Sequence, residues 1–232
     1  MRILAIDSSG SVASAAVVED GIIIGEYSIN NKLTHSQKLM PMIDQLLKSL
    51  DLRPIDIDIF SCAIGPGSFT GLRIGISIVK GMAQALDKQV VGVPTLDGLA
   101  WNLSGITGYI CPIIDARNDN VYTALYVSEP SDAGVSKESE YMATHISELI
   151  KFLPKDKQIA FVGDAVSKFS ELLKEKLGNM CYIPSSHLHL QKASSVGYAS
   201  YLLASAGKTG SAYSLSPLYL RSSQAERILT GN

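Results

Sequence analysis

The chain has 232 residues, 46% hydrophobic and 18% charged, which is typical of a globular protein and not of a disordered or fibrous one. A formal net charge of −2 does not indicate the strongly basic surface with which a protein binds nucleic acid tightly by itself. No apolar run approaches the ~20 residues that span a bilayer, and no signal-peptide pattern precedes the first strand. We therefore expect a cytoplasmic protein without membrane contact, whose three widely spaced cysteines are buried free thiols.

The first half of the sequence predicts alternating strands, turns and helices. A buried strand ends at Asp7, and Asp20-Gly21 between two apolar alternations predicts a β-hairpin. Apolar residues spaced along one face predict a helix over about residues 36–50. A buried strand over 57–64 then leads through a glycine-rich turn, 65–71, into a helix that runs to residue 86 and a short strand over 90–93.

The second half repeats the opening pattern of strand, acidic turn and strand. Residues 109–114 and 121–126 flank a turn that begins with Asp115, as the earlier strands flank the turn at Asp7. A third strand before Asp164, helices over 166–177 and 193–206, and a polar surface loop over 128–140 complete the prediction. The duplication predicts an α/β, actin-like ATPase (ASKHA, ribonuclease H-like) two-domain fold, with mixed sheets flanked by helices. We divide it into domains 1–105 and 106–232, the last residues packing back on the first domain.

The acidic turns suggest nucleotide chemistry, but in a reduced form. In a kinase-like fold Asp7, Ser8 and Ser9 would form the first phosphate loop; the alternative is a turn that satisfies its own backbone. The companion turn over 115–119 supplies carboxylates instead of glycine and hydroxyl groups, and its charges would repel a nucleotide. We assign no cofactor and no catalytic residue. His187 and His189, expected on one side of an extended segment, could bind a metal, but a satisfied surface pair is the simpler interpretation.

The helix that follows the glycine turn carries glycines at helical spacing. Gly71 and Gly75 share one face, and Gly81 lies on another. Each interior glycine costs about 1 kcal/mol of helix propensity relative to alanine, which indicates close packing against a neighbouring backbone. The predicted neighbour is a helix, either the one over 36–50 in the same chain or one in another subunit.

Several motifs together resemble the TsaB (YeaZ) family, and the resemblance spans the chain. They are Ile6-Asp7-Ser8-Ser9, Thr34-His35-Ser36-Gln37-Lys38-Leu39-Met40-Pro41, Gly65-Pro66-Gly67-Ser68-Phe69-Thr70-Gly71-Leu72-Arg73-Ile74-Gly75, Val93-Pro94-Thr95-Leu96-Asp97, Asp115-Ala116-Arg117, Val121-Tyr122 and Pro217-Leu218-Tyr219-Leu220-Arg221. The family has the actin-like fold and has been labelled a glycoprotease of the M22 group. The resemblance implies a subunit required for N6-threonylcarbamoyladenosine (t6A) at position 37 of tRNAs that read codons beginning with A.

The resemblance also implies a division of labour with other subunits. The catalytic paralogue TsaD carries a His-x-x-x-His metal pair, and an ungapped count from Gly65 places Thr95 and Leu99 at those positions. It implies a non-catalytic scaffold that pairs with TsaD and TsaE, forms a homodimer when alone and meets tRNA only through the complex, with ATP and metal on the partner subunits. A small-molecule kinase or a metallopeptidase of the same fold is the alternative. The implied interface residues are Leu39, Met42, Ile43 and Leu46 on one helix, and Gly71, Arg73, Gly75, Ile78 and Met82 on the other.

Overall fold

A computed structural model describes residues 1–31, 35–129 and 134–221. The first sheet has the order β3-β2-β1-β4-β5. Its strands are β1 (Arg2–Asp7), β2 (Val12–Glu19), β3 (Ile22–Asn30), β4 (Ile59–Gly65) and β5 (Gln89–Pro94). The predicted hairpin between β2 and β3 is confirmed, since Asp20 and Gly21 both have positive φ, the conformation that a two-residue turn between twisted strands requires.

The second sheet repeats this arrangement. Its strands are β6 (Gly108–Asp115), β7 (Asn120–Thr123), β8 (Tyr126–Glu129), β9 (Gly134–Lys137), β10 (Met142–His145), β11 (Ile159–Val162) and β12 (Cys181–Tyr182). The order is β10-β7-β6-β11-β12, and β8 pairs with both β6 and β9. As β1 pairs antiparallel with β2 and parallel with β4, so β6 pairs antiparallel with β7 and parallel with β11. The predicted duplicated α/β fold is confirmed.

Helices cover both faces of each sheet. They are α1 (His35–Ser49), α2 (Phe69–Leu86), α3 (Thr95–Trp101), α4 (Ile146–Phe152), α5 (Val166–Leu177) and α6 (Ala193–Ser205). Alternate residues of β1 point to opposite faces, so Leu4 and Ile6 pack with α1 and α2 while Ile3 and Ala5 pack with α6. In the second sheet α4 and α5 cover one face and α3 the other.

The last helix of the described chain, α6, returns to the first sheet. The first backbone N–H groups of α6 are satisfied by side chains of that sheet: Ala193 N donates to Ser14 Oγ, and Ser194 N donates to a carboxylate oxygen of Glu26, both at 2.9 Å. No helix in the described ranges is long and apolar enough to cross a membrane.

Two sequence predictions in the second half are wrong. The single strand predicted over 121–126 is interrupted at Ala124 and Leu125, because β7 continues toward β10 whereas β8 pairs with the start of β6. The polar stretch predicted as a surface loop contains β9, which pairs with β8; residues 130–133 lie outside the described part. Both errors arise because strand pairing is a long-range property that local apolar patterns do not record.

Candidate functional site between the two sheets

The turn after β1 folds its polar groups back on itself. Asp7 is 2% exposed, and its Oδ1 accepts hydrogen bonds from Ser9 N at 2.9 Å and Ser9 Oγ at 2.6 Å. Ser8 Oγ donates to the carbonyl oxygen of Gly71 at 2.9 Å. Burial raises the pKa of Asp7 to about 6, although both bonds from Ser9 act in the opposite direction. The geometry agrees with a turn that satisfies its own polar groups, and both hydroxyl protons are used within the chain.

The glycine turn packs directly on this β1 turn. Ser68 N donates to Ser9 O at 2.7 Å, and Ser68 Oγ caps α2 by accepting from Gly71 N at 3.2 Å. A Cβ at Gly71 would collide with the carbonyl oxygen of Ser8, and one at Gly75 would lie 2.6 Å from Ser8 Oγ. The helix–helix packing predicted for these two glycines is therefore wrong: they admit the loop after β1. A Cβ at Gly81 would meet no atom within 4 Å, so this glycine leaves open space on α2.

A cavity of about 500 Å³ separates the two halves of the fold. The first half contributes residues 9–11 and 67–70, and the second contributes 114–117, Tyr122 and Asp164. Asp115 N donates to Asp164 Oδ1 at 3.0 Å, so the two acidic residues lie side by side. Burial raises the pKa of Asp164; the hydrogen bond from Asp115 N acts in the opposite direction, and the charge of Asp115 adds a smaller upward effect.

Lysine partly offsets the charge of the second wall. Lys168 Nζ lies 3.0 Å from Asp119 Oδ1 and 3.8 Å from Asp115 Oδ1. The lining of this wall combines Arg117 with Asp115 and Asp164, and the two carboxylates would repel a phosphate group placed beside them.

The two positions that the resemblance assigns to the catalytic paralogue's metal pair lie on α3. Thr95 and Leu99 are one helical turn apart, and each is 1% exposed. Leu99 belongs to the apolar core beneath the second sheet. Between them, Asp97 accepts hydrogen bonds from Tyr126 at 2.6 Å and Tyr141 at 2.8 Å, which commits its carboxylate to fixing the helix. A threonine hydroxyl and a leucine side chain do not replace two imidazole ligands.

The histidine pair near α6 has a different geometry from the predicted one. Residues Ser186–Leu188 form a 3₁₀ helix, so His187 and His189 do not lie on one side of an extended segment as predicted. Burial lowers the pKa of His189. Within the ranges that the structure describes, no three His, Cys, Asp or Glu side chains are grouped so that they could hold a metal ion.

The predicted interface residues separate into two groups. Leu39, Met42, Ile43 and Leu46 are at most 5% exposed and form the core between α1 and the first sheet. Their placement corrects the prediction, because a side chain buried against its own sheet cannot contact a partner. Gly71 and Gly75 are likewise buried, against Ser8. Arg73 is exposed and Ile78 and Met82 are half-buried, so these three stay available.

From the sequence we expect the last residues to pack back on the first domain, but the contacts that Tyr219 and Arg221 make at the cleft were not predicted; residues 222–232 lie outside the described part. The ring of Tyr219 stacks on Phe69, the first residue of α2, with centroids 4.5 Å apart. Arg221 donates from Nη1 to Ala116 O at 3.3 Å. The motif 217–221 and the glycine-turn motif were both visible, but no local signal could show that they meet.

Comparisons with known proteins agree with this geometry. A family model described as TsaD, tRNA N6-adenosine threonylcarbamoyltransferase, matches residues 23–228. The tRNA threonylcarbamoyladenosine biosynthesis protein TsaB of Bacillus subtilis is 33% identical over 227 residues, covering 97% of this chain and 96% of the relative.

Solved structures show the same fold. YeaZ from Pseudomonas aeruginosa superposes with a TM-score of 0.79 at 23% identity, covering 94% of this chain and 99% of that one. Component A of the Acidaminococcus fermentans (R)-2-hydroxyglutaryl-CoA dehydratase reaches a TM-score of 0.52 at 11% identity, covering 88% and 99%. These likenesses support the actin-like ATPase architecture alone. With the sequence relationships, the conclusion is that the chain belongs to the TsaB (YeaZ) branch of the tRNA N6-adenosine threonylcarbamoyltransferase family.

Proposed function

We propose that this chain serves tRNA threonylcarbamoyladenosine biosynthesis as a non-catalytic subunit that scaffolds and activates TsaD together with TsaE. The proposal is supported by α3, where the resemblance places the catalytic paralogue's metal-ligand positions at Thr95 and Leu99, both of which are buried in the core. The cleft beside them is walled by Asp115 and Asp164 on the side where a nucleotide would need donors. The chemistry is accordingly assigned to the partner subunits.

The surface that we propose for pairing is a flank of α2 that the core of the first half covers only in part. Ile74, Ile78 and Met82 follow one another at intervals of four residues, so they form one stripe along the helix. All three are half-buried in the isolated chain, and Gly81 leaves free space beside the stripe. Met40, on the neighbouring helix α1, is 46% exposed. A stripe of this kind gains free energy when a second helix removes it from water.

Pairing is tested by filling the free space on α2. Gly81→Arg places a long cation where the partner helix would pack, and arginine has a higher helix propensity than glycine, so the variant should fold. Glu171→Arg, on the exposed side of α5, introduces the same side chain elsewhere and serves as the control. We expect the wild type and the control to co-elute with TsaD in size-exclusion chromatography, and Gly81→Arg to elute separately with an unchanged thermal transition.

Activity gives the second half of the test. In a mixture with TsaC, TsaD, TsaE, ATP, threonine, bicarbonate and unmodified tRNA, Gly81→Arg should fail to support t6A formation. Retained pairing would move the interface away from α2. If the chain alone transferred threonylcarbamoyl from its adenylate to tRNA, the non-catalytic assignment would be wrong. Sedimentation of isolated Gly81→Arg also tests the proposed homodimer. If the homodimer uses the same surface of α2, the variant should sediment as a monomer.

The kinase alternative rests on the cavity between the sheets, whose volume could admit a nucleotide. Calorimetric titration with Mg-ATP separates the two functions. The scaffold proposal predicts no micromolar binding by the isolated chain, and tight binding with turnover of a small-molecule acceptor would favour the kinase.

A further inference from the structure

The segment that we call the C-terminal strap, residues 210–221, links the two halves of the fold. Gly210 exchanges two backbone hydrogen bonds, of 2.8 and 2.9 Å, with Val90 of the edge strand β5. Further on, Leu218 N donates to Ile64 O at 2.7 Å, just before the glycine turn. The strap then crosses to the second half, where Arg221 donates to the carbonyl oxygen of Ala116 in the β6–β7 turn. It therefore begins on the first sheet and ends on the opposite wall of the cleft.

Between these ends the strap holds the start of α2. The rings of Tyr219 and Phe69 are stacked with their planes 18° apart, and Phe69 also lines the cleft. The hydroxyl of Tyr219 accepts a hydrogen bond from Arg73 Nε at 3.0 Å, one helical turn further along α2. The next residue, Leu220, packs into the core beneath the second sheet, on the other side of the cleft. Tyr219 and Leu220, which are neighbours in the strap, therefore contact opposite walls of the cleft.

We propose that the strap couples the opening of the cleft to the position of α2, with Tyr219 and Arg221 as positioning residues. When the walls separate, Leu220 and Arg221 move with the second sheet, and Tyr219 transmits that displacement to the first turns of α2. The same helix carries the face proposed for partner binding, so this inference deepens the proposed function and rests on it for its biological meaning. By linkage, a partner that fixes α2 also fixes the opening of the cleft.

Hydrogen exchange measures the coupling within the chain. Arg221→Ala removes the bond to Ala116, and Arg53→Ala, which breaks only a local surface pair with Asp56, is the matched control. We expect Arg221→Ala to accelerate exchange on the order of tenfold both in residues 115–120 and in residues 69–73, although its hydrogen bond is made to Ala116 and not to α2. Tyr219→Phe keeps the stacked ring and loses the bond to Arg73, so it should accelerate exchange only in residues 69–73. Faster exchange of 115–120 with an unchanged start of α2 would overturn the coupling.

Affinity for purified TsaD gives the functional readout. We expect Arg221→Ala to weaken binding on the order of tenfold and Arg53→Ala to leave it unchanged. If the wild type binds TsaD and Arg221→Ala alters exchange without altering the Kd, the link from strap to partner is refuted. If the wild type does not bind TsaD, the proposed function fails, while the exchange experiment still decides whether strap and α2 are coupled.

Discussion

Substitution of Asp7 by asparagine should make the protein more stable at neutral pH. The carboxylate is 2% exposed, and loss of its hydration raises its pKa from 3.8 to about 6. A shift of one pKa unit corresponds to about 1.36 kcal/mol, so the ionised form costs the folded state about 3 kcal/mol. The amide of the Asp7→Asn variant would keep an oxygen that can accept both bonds from Ser9, and it carries no charge to bury.

The sign of the pH dependence follows from proton binding. Because the folded pKa lies above the unfolded value, the folded state binds more protons than the unfolded state between about pH 4 and pH 6. The contribution of Asp7 to stability is therefore most favourable below pH 4 and falls as the pH rises to 6. The amide that replaces it does not titrate, so the stability of Asp7→Asn relative to wild type should rise by about 2.4 kcal/mol from pH 4 to pH 7.

Urea unfolding of both proteins between pH 4 and pH 7.5 measures this difference. Titrating groups that do not interact with the charge of Asp7 contribute equally to both proteins; His35 and Glu26 do interact with it, but both rank below the loss of hydration among the causes of the shift. A constant cost of the unpaired amide N–H₂ cancels from the slope. Asp44→Asn, which removes an exposed carboxylate paired with Lys48, should change stability by less than about 1 kcal/mol. A difference between Asp7→Asn and wild type that stays flat with pH, or that changes in the opposite direction, would refute the reasoning and would indicate that the ionised carboxylate is stabilised.

Two further predictions concern glycines and thiols. Gly71→Ala should lower the free energy of unfolding by about 3 kcal/mol, because the new Cβ would collide with the carbonyl oxygen of Ser8. Gly81→Ala, whose Cβ would lie in open space, should raise it by about 1 kcal/mol. Equal urea midpoints for the two variants would contradict the packing described. Of the three cysteines only Cys181 is partly exposed. A thiol reagent such as Ellman's should therefore modify one thiol per native chain and three per chain in denaturant. Rapid modification of more than one thiol in the native protein would place a second cysteine at the surface.

The sequence predicted those parts of the fold that local patterns control. Apolar spacing placed α5 over 166–177, as observed, because one face of the helix is buried by residues such as Phe169 and Leu173. The hairpin at Asp20-Gly21 followed from backbone conformation alone. The short helices α3 and α4 were missed since each has only seven residues, too few for a helical period to stand out from a strand.

Contacts between segments that lie far apart in the chain could not be predicted from the sequence. The glycines of α2 indicated a close neighbour but not its identity, and the neighbour proved to be the turn after β1. The apolar face of α1 was correctly predicted, yet Leu39 and Ile43 could equally have met a partner, and only the three-dimensional packing assigns them to the core. The spacing of apolar residues shows that one face of a helix is buried, but it does not show which element covers that face.

The glycine turn illustrates why a motif can outlast the chemistry that it suggests. Its glycines are required by contacts within the chain, since a Cβ at Gly67 or Gly71 would meet the carbonyl oxygens of Ser9 or Ser8 whether or not a phosphate were present. Those contacts seat the start of α2 against the turn after β1 and so fix the orientation of the flank of α2 that is proposed for pairing. An actin-like chain with Thr95 and Leu99 on α3 can therefore still need the whole turn. In such a chain the turn serves the placement of a helix, and a glycine-rich strand-to-helix turn is evidence for a ligand only when donor groups around it are left unpaired.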